Sequence, residues 1–168
     1  MATVYLGLGS NQDPASHFEA AIAALSERFG TIALSTIYAS AAVGFDGPSF
    51  WNAVARIDTD LDIEALDRWL HALEDARGRR RDVPRFSSRP LDIDILLYDD
   101  LVWKGPGNLA VPRADVTELA FVLRPLAELA PALRHPVNRQ TMAELWADFG
   151  PAPDLIALPN PDWHPEHP

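Results

Sequence analysis

Eight residues, Leu91 to Tyr98 (LDIDILLY), constrain the fold more tightly than any other stretch of the chain. Side chains alternate across a β-strand. Leu91, Ile93, Ile95 and Leu97 are therefore expected to form an apolar stripe on one face, with Asp92 and Asp94 on the other face beside Leu96 and Tyr98. At about 3.3 Å of rise per residue the two aspartates lie about 6.6 Å apart at their Cα atoms. Like charges this close, opening a mostly apolar strand, are costly unless something positive stands between them. A hard cation meets the need, because Mg2+ takes carboxylate oxygens and keeps several waters. The plainer reading is also open: an Asp-x-Asp pair can blunt a sheet edge or pair with nearby arginines.

Just upstream, Arg77 to Arg89 carries six of the thirteen arginines: Arg77, Arg79, Arg80, Arg81, Arg85 and Arg89. A guanidinium binds phosphate oxygens bidentately, whereas a run of charge is often only a solvated loop. The formal net charge of −10 gives this cluster weight as a local exception. Carboxylates suited to a metal beside an arginine loop suited to phosphate suggest chemistry on a nucleoside triphosphate.

The totals exclude several classes. At 168 residues, with 48% hydrophobic and 23% charged residues, the chain is expected to form one domain with a full core. A pI near 4.8 argues against a general nucleic-acid binder. The absence of cysteine removes disulfides, thiolate metal sites and cysteine nucleophiles together. No apolar run approaches a membrane span and no signal core opens the chain, so the expectation is a cytoplasmic protein with no membrane partner. Lys104 is the sole lysine.

Along the chain, Thr3 to Leu8 is expected as a strand. Gly7 and Gly9 hint at a phosphate loop but complete neither a dinucleotide nor a P-loop pattern, so close packing or a turn explains them better. A helix is expected from Pro14 or Ala15 to Phe29, with Phe18, Ile22, Leu25 and Phe29 on one face and Gly30 as its cap. His17 is expected to be exposed. Strands follow at Thr31 to Ser40 and Phe50 to Ile57, separated by a Gly/Pro loop from Ala41 to Ser49. Asn52 sits inside the third strand, where it must find hydrogen-bond partners or present its amide to a heterocycle. A second helix is expected from Asp62, its N-cap, to about Gly78, with Ile63, Leu66, Leu70 and Leu73 inward. Beyond the fourth strand come a short pair at Val102 and Trp103, an edge segment at Leu109 to Pro112, a helix from Thr117 to Leu129 that Pro125 should kink or shorten, and a helix from Thr141 to Phe149. The order β-α-β-β-α-β predicts an α+β, ferredoxin-like core with additional C-terminal helices. Residues 1–150 form that domain. Residues 151–168 read as a Pro-rich, frayed tail in which His164 and His167 are incidental.

The chain resembles the 6-hydroxymethyl-7,8-dihydropterin pyrophosphokinase family. The resemblance runs from about Val4 to Leu145. Its most specific part is Arg89 to Leu96 (RPLDIDIL), which is similar to the family's R-x-L-D-[LI]-D-I signature. It is supported by Leu6 to Asn11 (LGLGSN), Phe50-Trp51-Asn52, Leu73-Glu74 before Gly78-Arg79, and Pro125 to Pro131 (PLAELAP). The resemblance implies transfer of the β,γ-pyrophosphoryl group of ATP to the hydroxymethyl oxygen of the pterin, leaving AMP, in folate biosynthesis. It implies Asp92 and Asp94 as ligands of two Mg2+ ions, with Asp92 also near the pterin alcohol. Arg79 and Arg89 correspond to triphosphate-holding, catalytic positions, Arg81 and Arg85 to further members of that loop, and Glu74 to an acidic residue near the nucleotide. Val43, Phe50, Asn52, Phe86 and Phe121 correspond to pterin-pocket positions. The loops Ala41 to Ser49 and Arg79 to Ser88 are expected to close over ATP. The partners implied are two small molecules, with a monomer expected. Two positions depart from the family: Arg113 stands where histidine follows Val-Pro, and Leu119 where an arginine precedes Ala-Phe-Val-Leu. Both positions normally meet phosphate. Arg113 retains that capacity and is kept as an ATP-binding candidate; Leu119 does not. Three readings follow: an active pyrophosphokinase, a divergent paralogue that binds a pterin or nucleotide with weak or no activity, and an interaction module whose charges are only surface pairs.

Overall fold

The computed structural model describes residues 1–40, 49–78 and 90–166. In chain order the elements are β1 (Ala2–Ser10), α1 (Pro14–Phe29), β2 (Ala33–Leu34), β3 (Tyr38–Ser40), β4 (Phe50–Thr59), α2 (Ile63–Ala76), β5 (Asp92–Tyr98), β6 (Trp103–Lys104), β7 (Ala110–Val111), α3 (Asp115–Glu118), α4 (Ala120–Leu129), α5 (Met142–Phe149) and β8 (Ile156–Ala157). The main sheet is antiparallel in the order β5-β1-β4-β3-β8, and β2 pairs β4 alongside β3. This is the ferredoxin-like α+β core, with β2 and β3 as two pieces of the single strand expected over Thr31 to Ser40. A separate hairpin pairs β6 with β7.

Parity along β1 divides the molecule. Val4, Leu6 and Leu8 point into one cluster with Phe18, Ile22 and Leu25 of α1 and Ile63, Leu66 and Leu70 of α2. Phe18, Leu25, Leu66 and Leu70 are wholly buried, and each such side chain contributes about 1.5–3 kcal/mol of transfer free energy. Tyr5 points the other way, with Val54 of β4 and Leu96 and Leu97 of β5, against Val122, Leu123 and Leu126 of α4 and Met142 of α5. One sheet face is thus covered by α1 and α2 and the other by α4 and α5. The helix ends follow the sequence: Gly30, at φ 82, donates its N–H to the Ser26 carbonyl, and Asp62 accepts from Ala65 N at 2.8 Å. Thr141 and Glu144 form a reciprocal capping box at α5.

Three expectations are corrected. The strand over Thr31 to Ser40 breaks after Leu34 because Ser35 pairs through its side chain. Its N–H donates to Val54 O, and its Oγ, in place of a carbonyl, accepts from Val54 N at 2.9 Å. The strict alternation along β5 fails at a bulge: Leu6 faces Ile95 and Tyr5 faces Leu97, which leaves Leu96 as the extra residue. Leu97 therefore joins Leu96 in the α4 cluster and Tyr98 crosses to the α1/α2 side. Asp92 and Asp94 precede the bulge and keep their shared face. The helix expected over Thr117 to Leu129 divides at Leu119, whose backbone is extended, while Pro125 sits inside α4 without ending it.

The C-terminal segment is also not frayed through residue 166. β8 adds to the outer edge of β3, Leu158 N–H donates to Ile37 O, and Leu158 and Trp163 pack against the α1/α2 cluster. His164 is buried at 3% exposure. Its Nδ1 accepts from Glu166 N, which leaves Nε2–H to donate to Ser35 O at 2.7 Å.

Candidate active site

On the α4 face the helices stop short of one end of the sheet, and a cavity of about 370 Å³ opens there. Sheet register builds its floor. Gly7 of β1 lies between Asp94 of β5 and Val54 of β4, and Gly9 lies between Asp92 and Asn52. Two rows thus cross three strands, each with a glycine in the middle. Without side chains at Gly7 and Gly9 the floor stays low, so the aspartates on one flank and Asn52 on the other face a common space. A Cβ on Gly7 would meet Leu96 Cδ2 at 3.3 Å, and one on Gly9 would lie 3.6 Å from Asn52 Oδ1. Close packing against Leu96 is the role of Gly7, whereas at Gly9 a Cβ would meet Asn52 at ordinary contact distance and its absence leaves the floor open.

Phe50 at the start of β4 and Phe121 in the first turn of α4 line the cavity, and both are half-buried. Leu119 also lines it, on the extended residue between α3 and α4. Arg113 enters from the segment after β7. Its N–H donates to Leu96 O at 2.9 Å, which ties it to β5. Its Nε donates to Asp115 Oδ2 at 2.8 Å, while its Nη2 lies 3.8 Å from Asp94 Oδ2. The first contact is a strong charge-assisted hydrogen bond and the second a looser attraction.

That arrangement undercompensates Asp94. Only 31% of its side chain is accessible, and the access is through the cavity. Burial, then repulsion from Asp92, push its carboxyl up to about 8; Arg113 pulls the other way, and Glu74 and Asp115 add smaller upward pushes. Among the described residues no cluster of three or more His, Cys, Asp or Glu side chains is arranged to hold an ion alone. Two neighbouring carboxyl groups that disfavour each other's ionisation, facing an open cavity, match instead a cation that completes its shell with water and ligand oxygens.

Glu74 is 2% exposed, and its Oε2 accepts the Ile93 N–H at 2.7 Å. It reaches the site through β5, holding the strand between the two aspartates. Arg77, the first arginine of the cluster, caps α2 and turns toward α1: its Nε donates to His17 Nδ1 at 3.0 Å, so His17 is half-buried and partnered. Val43, Arg79, Arg81, Arg85, Phe86 and Arg89 lie outside the described residues. Two contributors escaped the sequence reading, Asp115 through its contact to Arg113 and Ser40 through its contact to Asn52, because both depend on tertiary placement.

The model of the 7,8-dihydro-6-hydroxymethylpterin-pyrophosphokinase (HPPK) family matches residues 5–131. A 2-amino-4-hydroxy-6-hydroxymethyldihydropteridine pyrophosphokinase of Pseudomonas aeruginosa is 43% identical over 141 residues, covering 81% of this chain and 85% of that protein. The protein of the same name from Haemophilus influenzae is 38% identical over 154 residues, covering 89% and 94%. Among solved structures, a Plasmodium falciparum HPPK-DHPS triple mutant superposes with a TM-score of 0.72 at 14% identity; the match covers 88% of this chain and 41% of that one, a likeness of fold. The chain belongs to the 7,8-dihydro-6-hydroxymethylpterin-pyrophosphokinase family.

Proposed function

We propose that the cavity on the α4 face is where this chain carries out its family's reaction, with Asp92 and Asp94 at its chemical centre and Asn52 at its recognition end. Family membership makes the chain an ATP-dependent diphosphokinase of folate biosynthesis, acting on hydroxymethyldihydropterin. The observation that carries the assignment of roles is the pair of glycine-centred rows, which puts both aspartates and Asn52 around one floor.

The flat pterin ring fits between Phe50 and Phe121 with its polar edge toward Asn52, a mostly apolar slot with few placed polar groups. Asp92, in the row of Gly9 and Asn52, lies at the end of that slot where the hydroxymethyl oxygen attacks. Asp92 and Asp94 would hold Mg2+, in two ions, through carboxylate oxygens, and the metal would supply charge neutralisation for the phosphoryl transfer. The chain's share is to orient the alcohol in line with the β-phosphorus and to exclude water. Arg113, already beside Asp94, meets the phosphate end. Arg79, Arg81, Arg85 and Arg89 hold the triphosphate, and Val43 and Phe86 close the pterin slot. Glu74 contributes by fixing β5 at Ile93. The chain acts as a monomer.

Leu119 favours a slower enzyme. It offers an apolar side chain to the cavity where the resemblance places a phosphate-binding arginine. Loss of one charge-assisted hydrogen bond costs about 1.5–3 kcal/mol, roughly ten- to a hundredfold in rate. Leu119→Arg is expected to raise kcat/KM for ATP by roughly tenfold or more; an unchanged value contradicts that role. The whole assignment is tested by incubating the protein with ATP, Mg2+ and 6-hydroxymethyl-7,8-dihydropterin and identifying products by mass spectrometry. Equal amounts of AMP and pterin diphosphate are expected; ADP in their place, or no product, rejects it.

A further inference from the structure

Asn52 is 5% exposed and its amide is held asymmetrically. Nδ2 donates to Ser40 Oγ at 2.7 Å and lies 3.5 Å from the Phe50 carbonyl oxygen. A hydroxyl accepts or donates, so Ser40 alone would tolerate either amide orientation. The Phe50 carbonyl can only accept, so the amide nitrogen belongs on that side; reversal would set two acceptor oxygens against each other. Oδ1 is thereby turned toward β1, over the space that a side chain on Gly9 would occupy. Among the described residues no donor meets it. A buried acceptor without a donor is uncommon in a folded chain, and this one lines the cavity.

We infer that Ser40 is a positioning residue: its hydroxyl, with the Phe50 carbonyl, fixes Asn52 so that an acceptor faces the cavity, and the site thereby selects a ligand edge that offers an N–H. The inference rests on the pterin reading above, since an amino-pyrimidinone edge carries such N–H groups. It adds a residue that acts through Asn52. Ser40 is well placed for this. It pairs with Phe50 at the end of β3, and β8 braces the outer side of that strand at Tyr38 and Ala39. The Ser40 hydroxyl is therefore delivered by a strand supported on both sides.

Steady-state AMP formation by wild type, Ser40→Ala and Ser40→Thr, with pterin and ATP varied separately, tests the inference. Ser40→Ala is expected to raise KM for the pterin roughly tenfold while kcat and KM for ATP stay within about twofold, and Ser40→Thr, which keeps the hydroxyl, to restore the pterin KM to within about twofold of wild type. A pterin KM unchanged in Ser40→Ala overturns it. So does an equal rise in both KM values, which marks general loosening, or a Ser40→Thr variant that behaves like Ser40→Ala. Melting curves on the same samples are expected to coincide, and a large drop for Ser40→Ala overturns a purely positioning role. Wild type that forms no AMP defeats the pyrophosphokinase assignment itself, a result visible before any variant is compared.

Discussion

Asp94 takes up a proton on folding that an ordinary carboxylate gives up. Its folded value of about 8 lies well above the usual carboxylate range, with burial the larger cause and Asp92 the next. A raised value means stability that is fully present at low pH and lost as pH rises toward about 8, because over that range the folded chain holds a proton that the unfolded chain has already released. Asp94→Asn is therefore expected to melt progressively higher than metal-free wild type as pH rises from 5 to 8.5, with the gap closing when Mg2+ is added. A gap that does not change with pH contradicts the electrostatic account. A cation must also displace that proton, so calorimetric Mg2+ titrations at pH 7 are expected to show proton release that depends on buffer ionisation enthalpy in wild type and not in Asp94→Asn. In catalysis, Asp92→Asn and Asp94→Asn are each expected to lower kcat by on the order of 10³-fold without lowering the melting temperature. Turnover near wild type in either variant removes that residue from the chemistry. The aspartates were legible as a pair because they sit two apart in a strand with a strong pattern. The size of the Asp94 shift was not, since it depends first on how deeply the fold buries that carboxyl beside Asp92, and then on an Arg113 held to Asp115 at 2.8 Å and 3.8 Å from Asp94.

Among the elements, the C-terminal segment changes most between sequence and fold. Its prolines suggested an extended tail, and extended it is, but as an added strand on β3 with Trp163 and His164 as anchors. Proline composition reports what a segment cannot do locally and is silent on which edge it docks against. The anchor makes a prediction. His164→Ala leaves the Ser35 carbonyl without its donor and vacates a buried side-chain volume, at a cost of about 1–3 kcal/mol or more; for a chain of this size that is a fall of roughly 2–10 °C in melting temperature. An unchanged melting temperature shows that the docked segment is marginal. The remaining elements divide along the same line. β1, α1, β4, α2 and β5 were readable because a period of 2 or 3.6 dominates each. The break after Leu34 and the bulge at Leu96 were not, because each arises from a pairing partner, Val54 in one case and Tyr5 in the other.

At the scale of the whole molecule, the sheet assigns its faces to different tasks. The α1/α2 face is closed by apolar packing along Val4, Leu6 and Leu8. The other face is closed by α4 and α5 only over part of its area, and the part left open carries the aspartates, the floor glycines and Asn52. With a net charge of −10, drawing a nucleotide to this face calls for local positive charge, and Arg113 supplies some of it beside Asp94. The central claim is that Asp92 and Asp94 carry divalent metal at this open face. The most direct measurement is a crystal structure with Mn2+ and a non-hydrolysable ATP analogue, read through the anomalous signal of the metal. Peaks within coordinating distance of both carboxylates, with the triphosphate reaching across the Gly7 and Gly9 floor, are the expected result. A bound analogue whose metal lies away from Asp92 and Asp94 contradicts it.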